Sequence, residues 1–266
     1  MKTWVVLLLI FVLAEAALLS RDAALDTYLW RLTRWTMGSQ DAYQWPQYRA
    51  TSATSDTPWY KTGNPPIHGT LYKKTEKLWR IFRDLGEPQM LVILLLVVAL
   101  YDQRKWRAAA ILGAAALLAG GAGMLLRAAT GRLRPDGVLL DESLTQLHDS
   151  AGNLLRNEGG NYWYFFRGFD CHFAASDLAF PSGHATLAFA IAAVLAYFSP
   201  RGRGLFFVLA ALCAIARVVM QAHFYSDALM GAAVGMAIGH ASAVLLDRLD
   251  ARSTGEKTTL PPRATA

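Results

Sequence analysis

Residues 181–198 read PSGHATLAFAIAAVLAYF, a polar tetrapeptide followed directly by an apolar run. Such a run approaches the roughly 20 residues that a helix needs to cross the hydrocarbon core of a bilayer. Gly183 allows a close backbone approach, Ser182 offers a hydroxyl, and His184 offers a proton near neutral pH. Because the first N–H groups of a helix are unpaired, this position favours an anion such as phosphate. The same residues are also typical of an ordinary helix start.

The rest of the chain repeats the alternation of polar segments and apolar runs. Of its 266 residues, 54% are hydrophobic, and the mean hydropathy is +0.25. These features predict an all-α protein, a polytopic membrane helix bundle of about six transmembrane helices. The predicted spans are 4–19, 90–101, 108–126, 185–198, 205–221 and 228–246.

The distribution of charge predicts how the bundle is oriented. The formal net charge is +6, and the basic residues lie in loops beside apolar runs. They form no helical stripe, so the positive-inside rule explains them better than nucleic-acid binding does. The hairpin 102–107 is basic, whereas 128–180 carries seven acidic and four basic residues. We therefore expect both termini inside and 128–180 outside, as in a bacterial inner-membrane protein facing the periplasm.

Before the second span the chain has two parts. Residues 1–20 are predicted to form the first transmembrane helix, with a signal peptide as the alternative because Ala14, Glu15 and Ala16 resemble a cleavage site. Residues 21–87 are an extracytoplasmic or interfacial segment. Its apolar residues at 71–85 recur at helical spacing between basic residues, which predicts an amphipathic helix. That helix lies either in the membrane interface or against its own bundle.

Residues 88–246 are expected to form the core helices, with the outer loop 136–180 between the third and fourth spans. The tail 247–266 is expected to be cytoplasmic and disordered. Within the core, glycines recur at positions suited to close helix packing in lipid. They are Gly231, Gly235 and Gly239 in the last span, and Gly113, Gly120, Gly121 and Gly123 in the third.

Two arginines mark the outer end of the third span. Arg127 and Arg134 are seven residues apart, and Pro135 follows. Seven residues are nearly two helical turns, so both guanidinium groups share a face if the helix continues to the proline. The alternative is that they are arginines that reach the membrane surface along their apolar stems.

A third group of residues surrounds the end of the fifth span. Arg217 precedes His223 and Asp227, and these last two are four residues apart. On a helix they would share a face, where the carboxylate can hold one imidazole nitrogen while the other faces a substrate. A structural histidine that caps a helix end is the alternative.

The predicted topology places all three groups at the same outer face. Ionisable groups at membrane depth are costly and usually functional. Three arginines and two histidines at one edge would form a positive pocket. Its arginines can neutralise phosphate oxygens while one neutral histidine attacks phosphorus and the other protonates the leaving oxygen.

These motifs resemble the three-part signature of the type-2 phosphatidic acid phosphatase superfamily, which includes membrane lipid phosphatases and soluble vanadium haloperoxidases. The resemblance covers roughly 88–246 and rests on Arg127-x6-Arg134-Pro135, Pro181-Ser182-Gly183-His184 and Arg217-x5-His223-x3-Asp227. It implies a metal-independent reaction without a cofactor. The catalytic residues implied are His223 as the nucleophile that forms a phosphohistidine, Asp227 as its orienting partner and His184 as the general acid. The phosphate-binding residues implied are Arg127, Arg134, Ser182, Gly183 and Arg217.

Two positions depart from the family pattern. Arg127 stands where lysine is usual, which keeps the charge and adds a planar donor fork. Ala216 stands where a serine usually precedes the arginine, so one hydrogen bond to phosphate is lost. That bond is worth about 1.5 to 3 kcal/mol to a charged acceptor.

The function expected is therefore a membrane phosphatase that hydrolyses phosphate mono- or diesters or diphosphates of lipids. The alternatives are a lipid phosphotransferase with the same intermediate and a non-catalytic protein that binds lipid phosphates. The expected partners are a lipid phosphate substrate and membrane lipids, with no nucleic acid and no obligate protein partner.

Overall fold

The computed structural model describes residues 13–19, 25–26, 28–30, 32–33, 36–37, 71–101, 107–132, 134–135 and 178–254. The described residues before 71 are helical pieces. From 71 onward the described chain forms the helices α1 Leu71–Asp84, α2 Pro88–Tyr101, α3 Arg107–Thr130, α4 Gly183–Phe198, α5 Arg203–Val219 and α6 Tyr225–Thr254. A 3₁₀ turn at Pro200–Gly202 leads into α5.

Within the described residues, three helices are long and apolar enough to cross a membrane. They are Ala108–Thr130, Pro200–Val219 and Tyr225–Leu246, and Pro88–Leu100 and Gly183–Phe198 are shorter apolar helices. The predicted all-α membrane fold is confirmed, and the chain is an integral membrane protein. The total of six spans stays a prediction, because most of the first span at 4–19 lies outside the described residues.

Helix α4 lies at the centre of the bundle, packed against α3, α5 and α6. Glycines of α6 allow the closest approach. A Cβ atom added at Gly231 would lie 2.6 Å from the Ser182 carbonyl oxygen, and one at Gly235 or Gly239 would collide with the backbone of Thr186 or Ala190. The packing role predicted for these glycines is confirmed. We call Gly231, Gly235 and Gly239 the glycine column.

The glycines of α3 behave differently. A Cβ added at Gly123 would lie 3.9 Å from Thr186, and one at Gly113 would lie 3.8 Å from Leu95. No described atom lies within 4 Å of a Cβ added at Gly120 or Gly121. The packing prediction is therefore wrong for these two residues in the described part of the chain, because they face away from its other helices.

Helix α1 packs on the bundle, against α5. Tyr72 is buried, and Leu85 just after the helix contacts a core cluster that includes Ala188 and Cys213. The outer side of α1 keeps apolar side chains exposed, namely Leu71, Leu78 and Ile81. The alternative that this helix packs on its own bundle is confirmed, while its outer side still has the apolar surface of an interfacial helix.

The structure answers one open condition on α3 and corrects the predicted disorder of one segment. Helix α3 ends at Thr130 and does not continue to Pro135, because Gly131 adopts a φ of 59° and its N–H donates to the Arg127 carbonyl at 2.8 Å. A left-handed glycine of this kind commonly ends a helix. At the other end, α6 continues to Thr254, so 247–254 of the predicted disordered tail is helical. The apolar pattern stops at Leu246, but good helix formers follow it without glycine or proline until Gly255.

Candidate active site

The N-terminus of α4 is tied to the N-terminus of α6 through Ser182. The Ser182 N–H donates to the Asp227 carbonyl at 2.8 Å, and the Ser182 carbonyl accepts the Thr186 N–H at 2.9 Å. The Ser182 side chain is fully buried, yet its Oγ has no hydrogen-bond partner among the described residues. A buried hydroxyl without a partner is costly and unusual. This oxygen is therefore available to a ligand at the start of α4.

His223 lies in the turn between α5 and α6, where Gln221 adopts a φ of 64°. The condition that His223 and Asp227 lie on one helix is not met, because α6 begins only at Tyr225. The turn nevertheless brings them together, with His223 Nδ1 3.5 Å from Asp227 Oδ2. Asp227 Oδ2 also accepts the Phe224 N–H at 2.8 Å, as a carboxylate in the first helical turn can do.

Two arginines approach the same place from other helices. The guanidinium of Arg127, near the end of α3, lies directly over Gly183, where an added Cβ would collide with Nη2 and lie 3.1 Å from Cζ. Arg217 is buried in the last turn of α5. The Nε atoms of both arginines lack hydrogen-bond partners among the described residues. Both side chains therefore retain donors for an anion.

The electrostatic environment keeps His223 neutral. Its side chain is fully buried, and burial lowers the pKa of His223 well below 6.5. The positive charges of Arg217, Arg134 and Arg127 lower this pKa further. A neutral imidazole among cations can act as a nucleophile, because its lone pair is not blocked by a proton.

His184 has a partner that sequence reasoning missed. Its Nε2 lies 2.9 Å from Oε1 of Glu87, the residue before α2, and both side chains are partly buried. The connection from α1 to α2 brings Glu87 there, because Gly86 packs against the His184 backbone. No motif contains Glu87, which is 97 residues from His184.

Arg132 belongs to none of the motifs, and in the sequence it contributes only to the charge balance of 128–180. Its side chain is fully buried, with Nη1 2.5 Å from Asp227 Oδ1 and Nη2 3.0 Å from Asp26 Oδ2. Nη1 also donates to Ser226 Oγ at 2.5 Å. The guanidinium carbon lies 4.4 Å from the Phe224 ring centroid. The available sequence signal was a third arginine close to the end of a membrane helix.

The segment after the outer loop is held against the end of α3. Thr130 Oγ1 donates to the Phe180 carbonyl at 2.9 Å, and the Ala179 N–H donates to the Arg132 carbonyl at 2.6 Å. Arg134 Nε makes a longer contact of 3.5 Å with the Leu178 carbonyl. Arg134 lies beyond the helix end, close enough for its charge to lower the pKa of His223. The structure gathers all eight predicted site residues around the start of α4, namely Arg127, Arg134, Ser182, Gly183, His184, Arg217, His223 and Asp227.

In the part of the chain that the structure describes, no group of three or more His, Cys, Asp or Glu side chains is placed to hold a metal ion.

Comparison with known proteins gave one family match and two structural neighbours. A family model described as the PAP2 superfamily matches residues 89–250. The crystal structure of LpxE from Aquifex aeolicus is 20% identical, covers 64% of this chain and 85% of that one, and has a TM-score of 0.42. That of a transmembrane PAP2 type phosphatidylglycerolphosphate phosphatase from Bacillus subtilis is 18% identical, covers 95% and 98%, and has a TM-score of 0.44. The search of curated proteins found no match.

Proposed function

The chain belongs to the PAP2 superfamily, and from this premise we propose that it is a membrane lipid phosphate phosphatase that works through a phosphohistidine intermediate. The observation that carries the proposal is the environment of His223. A buried neutral imidazole has a carboxylate near Nδ1 and is surrounded by cations. This arrangement favours the nucleophilic form of the ring and the negative charge of a phosphate beside it.

The phosphate-binding group of the proposed site consists of donors that the protein itself does not satisfy. Ser182 Oγ and the Nε atoms of Arg127 and Arg217 are buried and have no hydrogen-bond partner among the described residues. Buried donors of this kind cost free energy unless they are paired. Phosphate oxygens would satisfy all three, and the N-terminus of α4 adds backbone N–H groups and a positive dipole end.

The proposed reaction has two steps. Asp227 Oδ2 faces Nδ1 of His223 at 3.5 Å and orients the ring, so Nε2 attacks phosphorus and the bond from phosphorus to the lipid oxygen breaks. His184 gives its proton to that leaving oxygen, and Glu87 stabilises the protonated ring beforehand. A water molecule then attacks the phosphohistidine, and His184 accepts the proton that this water loses. Inorganic phosphate leaves, and His223 and His184 return to their initial states.

A lipid substrate follows from where the site lies in the bundle. The site residues stand at or just after the ends of α3 and α5 and at the starts of α4 and α6. An amphiphile in the bilayer presents its phosphate at the level of such helix ends. We infer that the substrate enters laterally from the outer leaflet and that this end of the bundle faces the outside.

The test is phosphate release by the purified full-length chain in detergent, with a panel of lipid phosphates and a chelator. The wild type is expected to release phosphate, and His223→Ala is expected to abolish release while the protein stays folded. His240→Ala is the matched control, because His240 lies exposed on the same helix α6. Turnover retained by His223→Ala would overturn the proposal. Transfer of phosphate to an added lipid alcohol in place of water would identify a phosphotransferase.

A further inference from the structure

Asp26 belongs to the N-terminal segment, outside the residues that the family model matches. Its side chain is fully buried. Oδ2 contacts Arg132 Nη2 at 3.0 Å and accepts a hydrogen bond from Ser226 Oγ, while Oδ1 accepts the Ser226 N–H at 3.2 Å. The carboxylate thus joins residues from three separate parts of the chain.

These contacts lead directly to the candidate nucleophile. Arg132 lies between two carboxylates, because Nη2 contacts Asp26 and Nη1 contacts Asp227 Oδ1 at 2.5 Å. The other oxygen of Asp227 faces both the Phe224 N–H and His223 Nδ1. The position of the Asp227 carboxylate therefore depends on where Arg132 is held, and Asp26 and Ser226 hold Arg132.

We propose that Asp26 is a positioning residue for the Asp227–His223 pair, acting through Arg132 and Ser226. The inference rests on the proposed function, because it assigns Asp26 a part in the reaction of His223. A misplaced reacting group can lower a rate by about a hundredfold for a shift of 1 Å. Asp26 touches no substrate in this proposal, so its effect is on turnover and not on binding.

The competing explanation is that Asp26 only anchors the N-terminal segment. That segment has other anchors, since Trp30 is buried against Phe224 with ring centroids 6.0 Å apart, and Thr33 Oγ1 lies 2.6 Å from the Tyr225 hydroxyl. Asp26→Asn also leaves Arg132 paired with Asp227, so it does not create the uncompensated buried charge that makes a broken buried pair strongly destabilising. The Asp26 side chain can therefore be changed while these contacts keep the segment docked.

The experiment compares Asp26→Asn, Asp26→Glu and the wild type as full-length protein in detergent. For Asp26→Asn we expect kcat to fall by about tenfold to a hundredfold, with KM changed less than about twofold and a cooperative unfolding transition retained. Asp26→Glu keeps the charge and is expected to recover part of kcat. Asp84→Asn is the matched control, because Asp84 is a partly exposed acid paired with Arg83, and its kinetics should equal those of the wild type.

A folded Asp26→Asn protein with wild-type kcat would overturn the inference, as would a rise in KM at unchanged kcat. If Asp26→Asn does not fold, Ser226→Ala replaces it, because this change removes the hydroxyl between Asp26 and Arg132 and keeps every charge. Its kcat should fall severalfold, and an unchanged kcat would again overturn the inference.

A wild type without phosphatase activity would show that the proposed function is wrong, and the positioning role of Asp26 then needs a measurement other than turnover. If the wild type releases no phosphate from any lipid, orthovanadate affinity replaces turnover, since vanadate bonded to a histidine nucleophile mimics the transition state of phosphate transfer and its affinity depends on where that histidine is held. We then expect Asp26→Asn and His223→Ala both to bind orthovanadate more weakly than the wild type and the Asp84→Asn control. Equal affinity in Asp26→Asn and the wild type, or no vanadate binding by the wild type, would overturn the positioning role.

Discussion

His184 Nε2 lies 2.9 Å from Glu87 Oε1, a contact between the first turn of α4 and the residue before α2. The carboxylate stabilises the protonated ring that a general acid requires. Glu87→Gln removes the charge and keeps the shape of the side chain. We expect turnover of alkyl phosphates to fall by about tenfold or more. Turnover of p-nitrophenyl phosphate should fall much less, because its leaving group needs no proton.

The leaving-group comparison separates this role from a structural one, since a structural defect slows both substrates equally. Glu76→Gln is the control, because Glu76 pairs with Arg80 on the surface of α1. Equal losses on the two substrates in Glu87→Gln would contradict the assignment.

Arg132→Met leaves two buried carboxylates without their shared cation. Burial raises the pKa of Asp26, and Arg132 opposes this rise. Loss of one partner of a buried pair costs about 3 to 5 kcal/mol, so the free energy of unfolding in detergent should fall by this order. Arg80→Met, at a partly exposed pair, should cost far less. Adding Asp26→Asn to Arg132→Met should cost less than the sum of the two single losses, because the pair is already broken.

Gly235→Ala places a methyl group against the backbone of Thr186 and Ala190. Backbone cannot move aside as a side-chain end can, so α4 and α6 must separate. Overpacking of this kind costs about 1 to 3 kcal/mol, and we expect a lower unfolding temperature together with lower turnover. Gly120→Ala is the control for overpacking, because no described atom lies within 4 Å of its added Cβ. That variant should be at least as stable as the wild type, since alanine favours helix.

In Gly183→Ala the added methyl group meets the Arg127 side chain, whereas in Gly235→Ala it meets backbone atoms. Its Cβ would occupy the position of Arg127 Nη2, the far end of a flexible side chain. We expect little loss of stability and a rise in KM of about tenfold or more, as a charged hydrogen bond to phosphate is worth about 1.5 to 3 kcal/mol. Gly204→Ala, with open space around its added Cβ, should leave KM unchanged. A normal KM in Gly183→Ala would remove Arg127 from the phosphate-binding group.

The pH profile should report the lowered pKa of His223. Because the neutral ring attacks, kcat/KM falls on the acid side as the pH drops through that pKa, while loss of the His184 proton limits the alkaline side. The acid limb of the wild-type profile should therefore lie well below pH 6.5. Arg217→Gln removes a positive charge that lowers this pKa, so its acid limb should move upward. Arg217→Lys keeps the charge and should leave the limb in place, even though both variants weaken phosphate binding.

The motif residues could be predicted from sequence because their types and spacing reflect the chemistry. The arginines, the two histidines and Asp227 were placed at one end of the bundle from the helix count, and the structure gathers them there. The glycine column was predictable for a similar reason, since a four-residue repeat of small residues has few other causes in a membrane helix.

The supporting residues could not be predicted because their partners are far away in the sequence. Asp26 contacts Ser226 across 200 residues, and neither residue belongs to a motif or a periodic pattern. Whether α3 continues to Pro135 could not be decided from sequence, because one glycine can continue a helix or end it. Only the observed φ of 59° at Gly131 decides between these outcomes.

The glycine column has a consequence for engineering the enzyme. Ser182 and Asp227 are hydrogen-bonded where α4 and α6 begin. These two helices can pack so closely because the three glycines of the column have no side chains. Directed evolution toward a bulkier headgroup should therefore spare these glycines. Libraries that include the column mostly yield unstable protein.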